Sequence, residues 1–250
     1  MKPDARRLEE LGLNSSAPPG QLLYDGWLLR LAPGKAKRAR SVNAVYASRL
    51  GLETKVAYCE RLYAHAGLPV LFRITPFSEP ADLDGALAAW GYGRFDDTSV
   101  QSCDLGAAPD GEGASPAIPM DLAAWATAVA ELRGSPAAHR ESHVARLQGT
   151  PLPMRPLAIE ADGHIAATGL VIVEDDCAGL FDIVTHDDQR RRGHARTLVA
   201  ALLRAAREMG ARHAYLQVAA DNTPARRLYE TFGFAERYLY WYRGRDGERE

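Results

Sequence analysis

The chain of 250 residues is 46% hydrophobic and 25% charged, and its formal net charge is −2 at pH 7. These are ordinary values for a soluble globular protein. The near-neutral balance provides no general attraction to DNA, RNA or an anionic membrane, so we expect no nucleic-acid partner and no membrane partner.

Cysteine usage and the N-terminal stretch bear on the compartment. Cys59, Cys103 and Cys177 are far apart and lack the spacing of metal ligands. They predict neither a disulfide framework nor a metal site, and they are typical of a reducing compartment. The opening stretch MKPDARRLEELGLNSS lacks the apolar core of a signal peptide, and no apolar run approaches membrane-spanning length. We therefore expect a cytoplasmic protein without a metal.

The N-terminal part alternates helix and strand signals. Apolar spacing predicts a helix over 52–65 and a strand over 70–74. Pro80 is predicted to open a second helix, which Gly91 and a further strand follow. The apolar face of that second helix consists of Leu83, Ala86, Leu87 and Trp90.

The stretch GAAPDGEGASPAIP, residues 106–119, lacks apolar periodicity and is rich in Gly, Ala and Pro. It predicts a linker at 108–117 between a domain at 1–107 and a domain at 118–250. The length of the chain is sufficient for two small domains.

The C-terminal part has the pattern of a mixed α/β domain. Asp162-Gly163 is a strong two-residue hairpin signal between two strands, and Thr223-Pro224 is a helix start with a capping hydroxyl followed by proline. The predicted elements, in order, are helices over 121–133 and 137–147, strands over 157–161, 164–173 and 179–185, an amphipathic helix over 195–209, a strand over 214–219, a helix from Thr223 to Gly233, and a strand over 234–242.

Two helices share one apolar spacing, which predicts a diverged internal repeat. Ala225, Leu228, Tyr229 and Phe232 have the spacing of the helix after Pro80, and Gly plus an aromatic residue follows each helix. The alternative is coincidence, because helix–Gly–strand units are common. The first copy has Leu87 in place of Tyr229 and lacks an Arg-x-x-Gly-x-Ala stretch, so it retains packing residues only.

The stretch QRRRGHA, residues 189–195, lies between a predicted strand and a predicted helix. A helix N-terminus has unpaired N–H groups and the positive end of the dipole, so it binds phosphate readily. Gly193 lets a ligand approach the backbone, and Arg190–Arg192 add positive charge. The alternatives are a solvated loop and a nucleic-acid contact. The pattern is neither a P-loop nor a GxGxxG dinucleotide site.

From about Pro119 onward, the chain resembles the GNAT superfamily of acyl-CoA-dependent N-acetyltransferases. Residues 190–195 match its motif [Gln/Arg]-x-x-Gly-x-[Gly/Ala], and FDIVTHDDQ before them resembles the family's strand and loop. VAADNTPARRLYETFGF, residues 218–234, resembles its second signature. The segment Gly26–Tyr46 is similar to the degenerate half of two-domain members. The resemblance implies an α/β (α+β mixed sheet) chain with a tandem GNAT-like acyl-CoA N-acyltransferase fold.

The resemblance also implies direct transfer of an acetyl group from acetyl-CoA to an amine. Backbone groups of Ile183, Val184 and Thr185 would pair with the pantetheine arm. Asn222 would hold the cofactor arm or order its loop, and Tyr229 would donate a proton to the departing thiolate. The pyrophosphate would be held by Arg190 together with the amides of Arg191, Arg192, Gly193, His194 and Ala195.

Other interpretations of these side chains remain open. The alternative role for Tyr229 is that of a core aromatic residue. The alternative role for Asn222 is that of a turn or helix-cap residue. Asp182 is a candidate base that faces the acceptor, or equally the partner in a salt bridge. His186 beside Asp187 and Asp188 is better explained by a surface loop than by a metal site.

In the N-terminal part, Arg38, Arg40 and Asn43 would line an acceptor site or lie on a solvated edge strand. Tyr238, Tyr240 and Tyr242 share one strand face, for which we favour core or interface packing. From the resemblance we expect the acceptor to be an amine on a small molecule or peptide, and we expect a monomer or a homodimer. The alternative function is a non-catalytic acyl-CoA-binding or regulatory protein.

Overall fold

A computed structural model describes residues 2–34, 36–108 and 117–245. Within it the chain forms two compact units. Unit 1 consists of Met1–Ser15, Val100–Val218 and Asn222–Arg237, and unit 2 consists of Ser16–Ser99, Ala219–Asp221 and Tyr238–Glu250. Most of the predicted linker, residues 109–116, lies outside the described residues. The bounds 1–107 and 118–250 stay a prediction. Each compact unit combines segments from both of the predicted domains.

Helices and strands are numbered separately in chain order. The helices are α1 Ala5–Asn14, α2 Leu52–His65, α3 Leu83–Ala89, α4 Leu122–Leu132, α5 Ala137–Gln148, α6 His194–Glu208 and α7 Thr223–Glu230. The strands are β1 Gln21–Tyr24, β2 Trp27–Arg30, β3 Val42–Ala44, β4 Phe72–Ile74, β5 Gly93–Asp104, β6 Ile118–Pro119, β7 Met154–Ala161, β8 His164–Glu174, β9 Cys177–Thr185, β10 His213–Ala219 and β11 Ala235–Gly244. None of the helices in the described ranges is long and apolar enough to cross a bilayer.

The sheet of unit 1 is mixed, with strand order β5-β10-β9-β8-β7-β6. Neighbours from β6 to β9 are antiparallel, whereas β10 is parallel to β9. The predicted hairpin between β7 and β8 is confirmed: Asp162 and Gly163 have φ of 53° and 77°. Two consecutive left-handed residues match the twist of the flanking strands.

Helices cover both faces of this sheet. Side chains alternate between the two faces along β8, so neighbouring residues of this strand pack against different helices. Val171 packs on one face with the apolar stripe of α6, which includes Leu198 and Leu202. Leu170 packs on the other face with Trp125 of α4 and, together with Ile172, with Leu147 of α5. Burial of one such Leu stabilises the fold by about 1.5–3 kcal/mol.

Unit 2 has a sheet with strand order β1-β2-β3-β4-β11-β5. Trp27, Phe72 and Leu87 form its apolar core with α2. Tyr238, Tyr240 and Tyr242 are buried, as core packing requires. Arg40 and Asn43 are also buried, so the interpretation of a solvated edge strand is wrong for them.

Three sequence predictions of local structure need correction. Helix α1 was missed, although Asp4 caps it by accepting from the Arg7 amide at 2.8 Å. The helix predicted from Pro80 begins at Leu83, and Trp90 lies past its end with 36% exposure. The cap of α7 is Asn222 rather than Thr223, because the Asn222 side chain accepts from the Ala225 amide at 3.2 Å.

Candidate active site

Strands β9 and β10 of unit 1 are paired over only part of their length. Their parallel register runs from Cys177 opposite His213 to Leu180 opposite Leu216. Strand β9 continues to Thr185, where it still pairs with β8 through Ala167. Within the described residues, the stretch from Ile183 to Thr185 thus has a paired strand on one side only. Such an edge presents backbone N–H and C=O groups that an extended ligand can pair with, as an added strand does.

A bulge marks the point where β9 leaves β10. Thr168 of β8 is opposite Val184, whereas Leu170 is opposite Phe181, so Asp182 and Ile183 together face Gly169. Asp182 has the left-handed φ of 49° that such a bulge imposes. A Cβ added at Gly169 would lie 2.7 Å from Leu202 of α6. Glycine therefore lets α6 pass close to the bulged strand.

The loop after β9 ends in the left-handed Gly193, with φ of 87°, and α6 begins at the next residue. No side chain caps this helix start, so its first amides are available to an acceptor from outside the chain. A Cβ added at Gly193 would meet no heavy atom within 4 Å. Approach to the helix start is therefore open.

Carboxylates hold the arginines on either side of Arg191. Arg190 pairs with Asp187 at 2.6 Å, and Arg192 pairs with Asp162 of the β7–β8 turn at 3.2 Å. Both arginines remain more than half exposed, with 66% and 55% side-chain exposure. Arg191 is exposed and has a φ of 62°. The loop thus places three exposed arginines beside the helix start, two of them paired with carboxylates.

Helix α7 carries the other two predicted residues. Asn222 caps it, which confirms the helix-cap interpretation of this residue. Tyr229 is 7% exposed and its ring lies 6.0 Å from that of Phe234, centroid to centroid. Burial raises the pKa of Tyr229 to about 12. The phenol therefore keeps its proton at neutral pH.

Comparison with known proteins gives one consistent result. Residues 123–234 match the model of the Acetyltransferase (GNAT) family. The uncharacterized N-acetyltransferase YobR of Bacillus subtilis (strain 168) is 29% identical over 248 residues, which cover 96% of this chain and 98% of that protein. Several solved structures have the same fold, and a GCN5-related N-acetyltransferase from Kribbella flavida superposes with a TM-score of 0.71 at 16% identity over 97% of this chain and 94% of that one.

Residues 123–234 of the chain belong to the GNAT superfamily. A tandem GNAT protein from the clavulanic acid biosynthesis pathway is also similar, with a TM-score of 0.63 and 18% identity over 96% of this chain and 89% of that one. The predicted fold class, a mixed α/β chain with tandem GNAT-like architecture, is confirmed. A [Ribosomal protein bS18]-alanine N-acetyltransferase of Salmonella typhimurium matches more locally, at 38% identity over 80 residues, which cover 32% of this chain and 54% of that protein.

The GNAT motif residues lie together in unit 1 at one end of β9. Ile183, Val184 and Thr185 form the end of the strand, and the loop through Gly193 leads directly into α6, whose first residues are His194 and Ala195. Their roles in cofactor binding stay predictions.

Asp182 has the salt-bridge role that the sequence left open as one of two alternatives. Its carboxylate lies 2.8 Å from Arg133 Nη2 and 3.1 Å from His143 Nε2. Burial acts to raise the pKa of Asp182, but His143 and the charges of Arg133 and Arg146 outweigh burial and hold it well below its ordinary value. A carboxylate with so low a pKa is a poor proton acceptor at neutral pH, and the role of Asp182 as a base stays a prediction.

The loop that contains His186 has no metal-like arrangement. His186 Nδ1 accepts from the Asp188 amide at 3.2 Å, and Asp187 pairs with Arg190. In the described part of the chain, no group of three or more His, Cys, Asp or Glu side chains is placed to hold a metal ion. The surface-loop interpretation is the one that these contacts support.

Sequence reasoning missed Arg133 and His143. Neither belongs to a motif, and both precede Asp182 by dozens of residues on separate helical segments, at the C-terminal end of α4 and within α5. The only sequence signal was the abundance of His and Arg in the segment AHRESHVAR.

Proposed function

We propose that this GNAT protein is an enzyme that transfers an acetyl group from acetyl-CoA directly to an amine acceptor. The observation that carries the proposal is the half-paired end of β9, which leads through a short basic loop into the uncapped start of α6. This arrangement offers a backbone edge for an amide-containing arm and a positive helix end for a pyrophosphate. The N-acetyltransferase names of the relatives support the same reaction class.

The residues present fit the two parts of acetyl-CoA. In this proposal, Ile183, Val184 and Thr185 offer their backbone groups to the two amides of pantetheine. The amides from Arg191 to Ala195 receive the pyrophosphate, and the three arginines of the loop provide charge around it. Each charge-assisted hydrogen bond of this kind contributes about 1.5–3 kcal/mol.

Tyr229 acts in the proposal as the acid that protonates the sulfur when the thioester breaks. A phenol with a pKa of about 12 is fully protonated at neutral pH, so Tyr229 carries the proton that this role requires. The acceptor is a primary amine on a small molecule or peptide, and the enzyme is a monomer or homodimer. A cytoplasmic location is supported by three buried cysteines that are all free.

Calorimetric titration of acetyl-CoA tests the binding half of the proposal. We compare the wild-type chain with Gly193→Glu and with the matched control Gly210→Glu. Gly210 follows the same helix at its other end, has a φ of 93° against 87° at Gly193, and has equally open surroundings. Backbone strain and added charge are thus alike in both variants. A glutamate at the C-terminal end is the less favourable of the two for the helix.

We expect the control to bind like the wild type and Gly193→Glu to bind at least about 100-fold more weakly, because its carboxylate competes for the phosphate position. Turnover is then measured as release of the CoA thiol with a panel of primary amines and peptides. Absence of wild-type binding would contradict the proposal as a whole. Binding without turnover on any amine would favour a non-catalytic acyl-CoA-binding protein.

A further inference from the structure

Three elements of unit 1 bring charged side chains together at the bulge of β9. Arg133 follows the last residue of α4, His143 lies on α5, and Asp182 is the left-handed residue of the bulge. Asp182 contacts both, Arg133 Nη2 at 2.8 Å and His143 Nε2 at 3.1 Å. The side chains of His143 and Asp182 are only 13% and 17% exposed. This cluster has no part in holding acetyl-CoA in the proposal above.

The carboxylate is placed to orient the imidazole. His143 Nε2 lies 3.1 Å from a carboxylate oxygen of Asp182, so this nitrogen faces the carboxylate. Trp125 holds the ring from the side, with its centroid 5.8 Å from that of His143 in an edge-on arrangement. Because a carboxylate accepts hydrogen bonds only, the proton of neutral His143 belongs on Nε2 and the lone pair on Nδ1. A neutral imidazole held in this way presents Nδ1 as a proton acceptor.

The position of the pair along β9 is suited to a reacting group on the strand edge. Asp182 directly precedes Ile183, the first residue of the edge that lacks a second paired strand. His143 lies on the face of the sheet covered by α4 and α5, whereas Tyr229 belongs to the core on the face covered by α6. A base and an acid on opposite faces can act on opposite sides of a group bound at the edge.

We propose that His143 is the general base of the acetyl transfer and that Asp182 is its positioning residue. The proposal rests on the proposed function. As the amine nitrogen forms its bond to the thioester carbonyl carbon, His143 Nδ1 takes the proton that the nitrogen loses. The bonding electrons of the broken C–S bond leave with sulfur, which Tyr229 protonates. Solvent then removes the proton from His143 and returns one to Tyr229, so the net products are an amide and a free thiol.

The charged groups around the pair bear on its pH dependence. Asp182 faces His143 from β9, Arg133 faces the same carboxylate from the end of α4, and Arg146 acts on it from α5. Free imidazoles change charge between about pH 5 and pH 8. A base must be unprotonated to act, so the pH profile of kcat/KM is recorded together with kcat.

The test compares the full chain with its His143→Gln variant, using acetyl-CoA and a panel of primary amines and peptides. The glutamine amide nitrogen can still donate to Asp182, yet it offers no base, so the variant keeps the anchor and loses the proton acceptor. We expect kcat to fall about 100-fold or more and the Kd for acetyl-CoA to stay unchanged. The control is His213→Gln, a half-buried histidine at the start of β10.

A second variant, Asp182→Asn, tests the positioning role. We expect a lower kcat at an unchanged Kd for acetyl-CoA, because the imidazole loses the carboxylate that orients it. If the wild type transfers acetyl and His143→Gln does so at the same rate and with the same pH profile, the assignment of the base is wrong. The proposed function would then remain intact. A wild-type chain that transfers to no amine would overturn the proposed function and this inference with it.

Discussion

The carboxylate of Asp25 accepts a hydrogen bond from the backbone amide of Leu50 at 2.9 Å. It also accepts from the Arg49 amide at 3.0 Å, and Lys55, which is fully buried, lies 3.6 Å away. These amides belong to the loop just before helix α2, whose N-cap residue Gly51 has no side-chain cap. In unit 1 the corresponding position before α6 has no side-chain cap. The two helix starts differ in the loops before them: a carboxylate organises the loop before α2, whereas three consecutive arginines lie in the loop before α6.

We expect Asp25→Ala to lower the midpoint of thermal unfolding, because two amides lose their acceptor and a buried ammonium loses its counter-charge. The hydrogen bond from Leu50 is the main cause that lowers the pKa of Asp25, and Arg49 and Lys55 add to it. A folded pKa below the unfolded value means that this stability is present at neutral pH and is lost as the pH falls through the folded pKa. The difference between the wild type and the variant should therefore shrink below about pH 4.

The matched control is Asp96→Ala. Asp96 also lies in unit 2, is left-handed with a φ of 53° against 42° at Asp25, and forms an ion pair with Lys37 at 2.8 Å. Both variants place alanine in a strained backbone, but only Asp25→Ala removes the acceptor of the Arg49 and Leu50 amides. Thermal melts at pH 7 and pH 3 give the comparison. Equal losses in the two variants would show that backbone strain alone explains the effect.

Local patterns were sufficient to predict most of unit 1. The hairpin at Asp162-Gly163 and the apolar stripe of α6 depend on neighbouring residues only, and both are confirmed. Helix α1 was missed because ten residues with few apolar side chains gain their stability from docking, which Leu8 and Leu11 achieve by complete burial. The strand partners of β5 and β11, which contribute residues to both units, depend on pairing between distant segments.

Some residues of the candidate site could likewise be predicted from local sequence, and others could not. Gly193 and its arginines could be predicted because one continuous segment supplies the strand, the loop and the helix start. The surroundings of Asp182 could not, because Arg133 and His143 reach it from other elements. Strand alternation also fails at Asp182, since a bulge changes which face its side chain occupies.

Tyr229→Phe tests the acid. We expect kcat for acetyl transfer to fall about 100-fold and the Kd for acetyl-CoA to remain unchanged, because general acid catalysis typically contributes at least that factor. Because the pKa of Tyr229 is about 12, ionisation of this phenol should not lower kcat at pH values well below 12. Tyr63→Phe, which removes a buried phenol that donates to the Arg30 carbonyl at 2.8 Å in unit 2, is the control. Full turnover in Tyr229→Phe would contradict the assignment.

Asn222→Ala separates the two roles of the residue that caps α7. Loss of the cap should cost about 1 kcal/mol of stability, because the Ala225 amide loses its acceptor. Asp121→Ala is the matched control, since Asp121 caps α4 by accepting from the Ala123 amide at 2.8 Å. Both variants should lose similar stability in chemical denaturation. If Asn222 also orders the acetyl-CoA site, only Asn222→Ala should bind acetyl-CoA more weakly.

We expect that weakening to be about tenfold, equivalent to about 1.4 kcal/mol, because one hydrogen bond or one ordered turn is lost at the cofactor arm. Calorimetric titration of both variants below their unfolding transitions makes the measurement. Unchanged acetyl-CoA affinity in Asn222→Ala, with stability lost as in Asp121→Ala, would restrict Asn222 to the helix cap. Weaker binding in Asp121→Ala as well would trace the loss to general loosening of unit 1, since the cap of α4 is not part of the proposed cofactor contacts.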